Sequence, residues 1–128
     1  MPLHLTLLPE IFAVCRLEPT AKVPNWAHYE TVFSSITRTR DELSIVCTQE
    51  SVPEGTQAER DWRAFKVNGP LDFGLTGILS SLANPLAEAK ISIFAISTFD
   101  TDYLLVRTEK LEEAVEVLKT FCKVTGNE

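Results

Sequence analysis

At 128 residues the chain is one compact unit or two very small ones, and 45% apolar residues give it too much core for a disordered polymer. A formal charge of −6 argues against a nucleic-acid partner, which wants a basic patch. No apolar run approaches the ~18 residues of a membrane span, and the start lacks a basic region followed by a long apolar core, so neither a membrane anchor nor a signal peptide is expected.

In chain order, 3–8 reads as an apolar strand stopped by Pro9. A second strand over 11–17 places Ile11, Ala13, Cys15 and Leu17 on one face. Pro19 and Pro24 bracket a loop, and Asn25 is a fitting N-cap for a helix whose stripe is Trp26, Tyr29, Val32, Phe33 and Ile36. Residues 43–48 form a strand. The polar run 49–61 marks a module boundary, with a short helix expected over 56–60, and 62–67 is the next strand. A central helix carries Leu75, Ile78, Leu79, Leu82 and Leu86, with Gly74 and Thr76 where it would begin. Pro85 should kink or interrupt it. Strands over 91–98 and 103–107 flank the polar turn 99–102. A last helix places Leu111, Ala114, Val115, Leu118, Phe121 and Cys122 on one face and ends at Gly126.

Shifting the chain by 60 residues lays Ile36-Thr37 on Ile96-Ser97, Glu42 on Asp102, Ile45-Val46 on Leu105-Val106 and Thr48 on Thr108. A strand–helix–strand–strand unit therefore occurs twice. The expected plan is α+β: two tandem ferredoxin-like βαββαβ modules, 1–58 reduced and 59–128 fuller, with antiparallel sheets and helices on one face.

Motifs for catalysis are missing. His4 and His28 sit in no metal-ligand pattern, and there is no G-x-S-x-G or P-loop. Asp100 and Asp102 read more simply as turn residues than as a catalytic pair. Cys15, Cys47 and Cys122 read as buried reduced thiols. Arg38 and Arg40 suit either an anion or a solvated turn, and Trp26 and Trp62 suit the core. No metal and no cofactor is expected. Binding fits better. A helix start at Thr76-Gly77-Ile78 offers free N–H groups to a carboxylate, although Gly77 would equally serve close helix–sheet packing. Asp102 would pair with an ammonium or guanidinium, or simply cap its turn.

Gly77-Ile78-Leu79, Pro85-Leu86-Ala87, Ile91-Ser92-Ile93-Phe94, Ile96-Ser97-Thr98-Phe99 and Thr101-Asp102-Tyr103-Leu104-Leu105-Val106 together resemble ACT domains of the CASTOR type, small amino-acid-binding regulatory modules. The resemblance implies a cytoplasmic, allosteric, non-catalytic protein that binds an amino acid. Carried over residue by residue, it marks Thr76, Gly77 and Ile78 on one side of a site and Ser97, Thr98, Phe99 and Asp102 on the other. The sensors of this type carry four modules, so a complete site here would need a homodimer. They also have acidic residues where this chain has Gly74-Leu75, which puts arginine specificity in question. The other reading the sequence leaves open is a ligand-free interaction subunit that uses its sheet edge to bind another protein.

Overall fold

The computed structural model describes residues 3–29, 32–69 and 77–126. Among these residues, seven strands and two α-helices follow in the order β1 (Leu3–Leu17), β2 (Ser35–Arg38), β3 (Leu43–Thr48), β4 (Ala58–Val67), α1 (Ile78–Glu88), β5 (Ile93–Ser97), β6 (Asp102–Arg107), α2 (Leu111–Lys119) and β7 (Cys122–Gly126). The sheet order is β2-β3-β1-β4-β6-β5, with β7 on β1. The β1–β3, β2–β3 and β5–β6 pairs are antiparallel; β7 runs parallel to β1. The fold is α+β, as expected.

Contacts divide the chain into two units, one of Met1–Pro9 with Arg63–Glu128, the other of Glu10–Trp62. Pairing follows this division: Leu3–Leu7 lie against Cys122–Gly126, whereas Phe12–Leu17 lie against Leu43–Thr48.

In the larger unit, Leu5 and Leu7 of β1, Phe65 and Val67 of β4, and Leu104 and Val106 of β6 share a core with Leu82 and Leu86 of α1 and Ala114 and Leu118 of α2. Each strand contributes alternate residues, so both helices cover one face. In the smaller unit, Ala13, Cys15, Leu43, Ile45 and Cys47 pack under Ala27 and Val52, with Trp26 against them. Trp62 is also buried, and His28 is exposed. All three cysteines are free and buried, as the sequence suggested.

Several expectations are corrected. The two strands expected on either side of Pro9 are one strand. Pro9 falls between the β7 and β3 ladders of β1, where a missing N–H breaks no pairing on that side. The helix expected over 26–36 is a 3-10 turn, Asn25–His28, followed by β2. Pairing of Ile36 with Ile45 outweighs the helical spacing of the stripe, and Phe33 meets Phe12 edge-on at 5.8 Å. The helix expected over 56–60 is the start of β4, and a 3-10 turn lies earlier at Gln49–Ser51. The last helix stops at Lys119, so Cys122 sits on a strand. Gly126 ends that strand, not the helix. Its φ of +122° is open to glycine, and an added Cβ would lie 2.3 Å from the Leu7 carbonyl oxygen. The central helix runs on through Pro85 without a break.

The two β-hairpins correct the repeat. Arg38 pairs with Leu43 in one, and Ser97 with Asp102 in the other. The equivalence is therefore a shift of 59 (38 to 97, 43 to 102), not 60. In a strand a one-residue slip exchanges the two faces. A shift of 60 would equate core-facing Ile45 with Leu105, which lies outside the helix-covered core; a shift of 59 equates it with Leu104, which lies within.

Candidate functional site

The hairpin between β5 and β6 is closed by a turn over residues 98–101. The Thr98 N–H donates to the Thr101 carbonyl at 2.7 Å, the Thr98 hydroxyl to the same oxygen at 3.0 Å, and the Thr101 N–H to Thr98 Oγ1 at 3.2 Å. Thr101, not among the candidate site residues, is 5% exposed and donates its hydroxyl to the Val67 carbonyl at 2.5 Å. Val67 is the last residue of β4, so this bond fixes the turn at the strand end from which the chain leaves toward α1. A hydroxyl in a polar turn has many readings; only its depth marks this one.

Ser97 and Asp102 face each other across the hairpin, and the Ser97 hydroxyl donates to Asp102 Oδ1 at 2.5 Å. Moving along the ladder two residues at a time, the rows are Ile93–Val106, Ala95–Leu104 and Ser97–Asp102. In the first two rows Val106 and Leu104 are core residues and Ile93 packs against that core, while Ala95 is exposed. The third is the polar end of that same face. One oxygen of Asp102 is taken by Ser97; a carboxylate has capacity for further donors.

Gly77 stands at the N-cap of α1 with φ +77°, a left-handed conformation that suits glycine. The nearest atom to an added Cβ would be Ser80 Oγ at 3.9 Å, so the glycine answers to backbone conformation and not to close packing. Its carbonyl accepts from the Ser81 N–H at 2.9 Å and the Ser80 hydroxyl at 3.1 Å. Ile78 opens the helix and accepts from the Ser81 hydroxyl at 2.7 Å. Thr76 lies outside the described residues, as do Gly74 and Leu75. Phe99, at the hairpin tip, is 81% exposed.

The structure thus joins Ser97 to Asp102 and ties Thr98 into the turn, while Gly77 and Ile78 make their bonds within α1. A cavity of about 170 Å³ opens in the smaller unit beside Arg16, Glu42, Ser44 and Glu59; none of the described candidate residues borders it. Among the described residues no group of three or more His, Cys, Asp or Glu is placed to hold a metal ion. No helix there is long and apolar enough to cross a membrane. Arg38, one of two candidates for an anion, instead donates to the Pro19 carbonyl and, at 2.9 Å, to the Ala21 carbonyl.

Comparison with known proteins places these elements. An ACT domain family model matches residues 57–120, and a second model, of an N-terminal domain, matches residues 10–55. The human cytosolic arginine sensor for mTORC1 subunit 1 is 42% identical over 59 residues, 45% of this chain and 18% of the sensor. The chain therefore spans under a fifth of the length of that relative. The crystal structure of an Agobacterium tumefaciens protein is 37% identical, with a TM-score of 0.92 over 100% of this chain and 96% of that one. A Clostridium acetobutylicum aspartate kinase shares the fold at 15% identity, with a TM-score of 0.62 over 88% of this chain and 33% of the kinase. With 64 of 128 residues under the family model, the chain belongs to the ACT domain family and is an ACT domain protein of the CASTOR type.

Proposed function

We propose that the chain is a non-catalytic, cytoplasmic regulatory module that binds a free amino acid where two ACT units of a homodimer meet. The observation that carries this is the Ser97–Asp102 pair, a polar row on the same face as core residues Leu104 and Val106, within the ACT-matched residues. Asp102 receives the ligand's ammonium or cationic group, with Ser97 orienting the carboxylate. The amides at the start of α1, from Thr76, Gly77 and Ile78 of the other copy, receive its carboxylate. Thr98 shapes the turn, and exposed Phe99 covers the ligand. Residues 1–58 act as a reduced ACT-like module and 59–128 as the fuller one. Ligand binding regulates by favouring one dimer geometry over another. The arginine sensor among the relatives supports the amino-acid class.

Calorimetry or thermal shift of the intact chain against the twenty amino acids tests this. At least one should bind, and Asp102→Ala should weaken it about 10- to 100-fold, the worth of a lost hydrogen bond to a charged group. Absence of binding by all twenty overturns the reading. One observation favours a second reading, a ligand-free interaction subunit: Asp102 already has a partner in Ser97. Intact binding to a protein partner by Asp102→Ala, with no amino acid bound by the wild type, would establish it.

A further inference from the structure

Two of the three cysteines are neighbours in the core of the smaller unit. Cys15 stands opposite Ile45 and Cys47 opposite Ala13, so the cysteines occupy adjacent rows of the β1–β3 ladder. All four residues belong to one buried cluster, which puts both thiols on the same face. Diagonal neighbours on one face of an antiparallel ladder are within reach of each other. Here the two thiols are joined by a hydrogen bond. The third cysteine, Cys122, belongs to the core of the larger unit.

The two thiols are unequal. The hydrogen bond with Cys47 pulls the Cys15 thiol down from its ordinary value, against burial, and the Arg60 guanidinium adds to the pull. Cys47 is pushed up by that same bond, by burial and by the charge on Cys15. One sulfur favours the thiolate, the form that attacks an electrophile, and its neighbour keeps a proton beside it.

The cover over the pair is made of loops. In the larger unit two α-helices lie on the core. In the smaller one, Ala21, Val23, Trp26, Ala27 and Val52 close over the strands, from the segment after β1 and from the end of a 3-10 turn. Cys15 and Cys47 are only 1% and 2% exposed, so a reagent reaches them when that cover lifts. Arg38 holds it through the carbonyls of Pro19 and Ala21. A segment tied by few bonds opens more readily than a packed helix.

We propose that Cys15 and Cys47 are an oxidation site for hydroperoxides, entered when residues 18–24 lift, with Cys15 attacking and Cys47 closing the disulfide. The Cys15 thiolate takes the terminal oxygen of the hydroperoxide. The O–O bond breaks, Cys15 becomes a sulfenic acid, and the departing alkoxide or hydroxide takes a proton to leave as alcohol or water. The Cys47 sulfur, losing its proton, then attacks the Cys15 sulfur and expels hydroxide, which leaves as water. In total the two thiols give up two protons and two electrons, and the O–O bond accepts them. Diagonal neighbours stand about 7–8 Å apart at Cα, against about 4.4–6.8 Å across an ordinary disulfide. Closing the bond therefore draws β1 and β3 together, and a bond closed under strain is readily reduced again.

The test exposes the intact, reduced chain to hydrogen peroxide and to tert-butyl hydroperoxide, then maps its peptides without reduction by mass spectrometry. A Cys15–Cys47 link within one chain should form before Cys122 is oxidised, and dithiothreitol should reverse it. Cys122 serves as the internal control, being a buried thiol in the other unit. Arg38→Ala, which frees the cover, should speed formation of the link about fivefold or more, the effect of one lost hydrogen bond on local opening. Oxidation of Cys122 ahead of the pair, links between chains only, or an oxidised Cys15 beside a free Cys47 would each overturn the proposal. An unchanged rate in Arg38→Ala would overturn the route of entry. Amino-acid binding is proposed for the other unit, and none of these outcomes bears on it.

Discussion

Leu5→Ala tests whether the first strand segment belongs to the ACT unit. Leu5 is fully buried, stands opposite Val124 of β7, and shares a core with Phe65, Leu82 and Leu118. The substitution removes three carbons, roughly 2.4 kcal/mol at about 0.8 kcal/mol per buried group. Helices on one side and the sheet on the other hold the cavity open, which raises the cost to about 3–4 kcal/mol. Against a total of roughly 5–15 kcal/mol for a natural domain, that is a large share. The melting midpoint should fall by roughly 10 °C or more. The chain carries its own two reporters. Both α-helices lie in the larger unit, so ellipticity at 222 nm follows that unit. Both tryptophans, Trp26 and Trp62, lie in the smaller unit, so their fluorescence follows the other. Denaturant unfolding of Leu5→Ala should shift the helical transition by the full amount. A helical transition displaced by less than about 1 kcal/mol would refute the placement of this strand in the helical unit's core, since surface substitutions rarely exceed ~0.5 kcal/mol. A tryptophan transition that moves equally would show the two units unfolding together.

Three further outcomes are expected. Gly126→Ala places a Cβ 2.3 Å from the Leu7 oxygen and 2.9 Å from its nitrogen, so the end of β7 must detach. It should cost roughly 1–3 kcal/mol by overpacking, read from denaturant unfolding, and speed exchange of the β7 amides. Gln49→Ala releases Asp61, which holds φ +68° in mid-strand with its N–H on Gln49 Oε1 at 2.6 Å and its Oδ1 on Gln49 Nε2 at 3.0 Å. A loss of about 1–3 kcal/mol is expected in the tryptophan-reported transition. Burial pushes the Cys122 thiol up, so the folded state favours the protonated form. Its contribution is whole below the ordinary thiol pKa, about 8.5, and is lost as pH rises past that value. Melting at pH 7.5 and 9.5 should therefore show wild type losing more stability than Cys122→Ala; equal losses would dismiss the thiol as the cause.

The elements that periodicity revealed are those whose own residues decide them. Leu43, Ile45 and Cys47 alternate into one core, and Leu111, Ala114 and Leu118 leave no strand reading. Elements that depend on a distant partner were misread. Ile36 sits at helical spacing from Trp26, Tyr29 and Phe33, yet its pairing with Ile45 makes it a strand residue. Cys122 extends the helical stripe on paper, but its pairing with Leu3 makes it a strand residue. Pro9, expected to stop a strand, lies inside one, between two ladders where its missing N–H breaks no pairing on that side, and α1 continues past Pro85, where a kink or interruption is expected.

The candidate site was legible to a similar degree, and for the same reason. Ser97, Thr98 and Asp102 are named by a local motif, and the hairpin does bring Ser97 and Asp102 together. Sequence alone could not say which face they occupy, because a repeat of short apolar words aligns almost as well at 60 as at 59. Ladder register decides it: Asp102 stands in the row of Leu104 and Val106, on the side that α1 and α2 cover. An aspartate at the end of that row, bonded to a serine, differs from Leu43, which stands at the matching place of the β2–β3 hairpin. A half-buried carboxylate at an apolar core's edge gives up hydration without the packing a leucine would supply. Within the fold the Ser97 hydroxyl returns one hydrogen bond for that exchange, and the cationic group of the proposed ligand would add another.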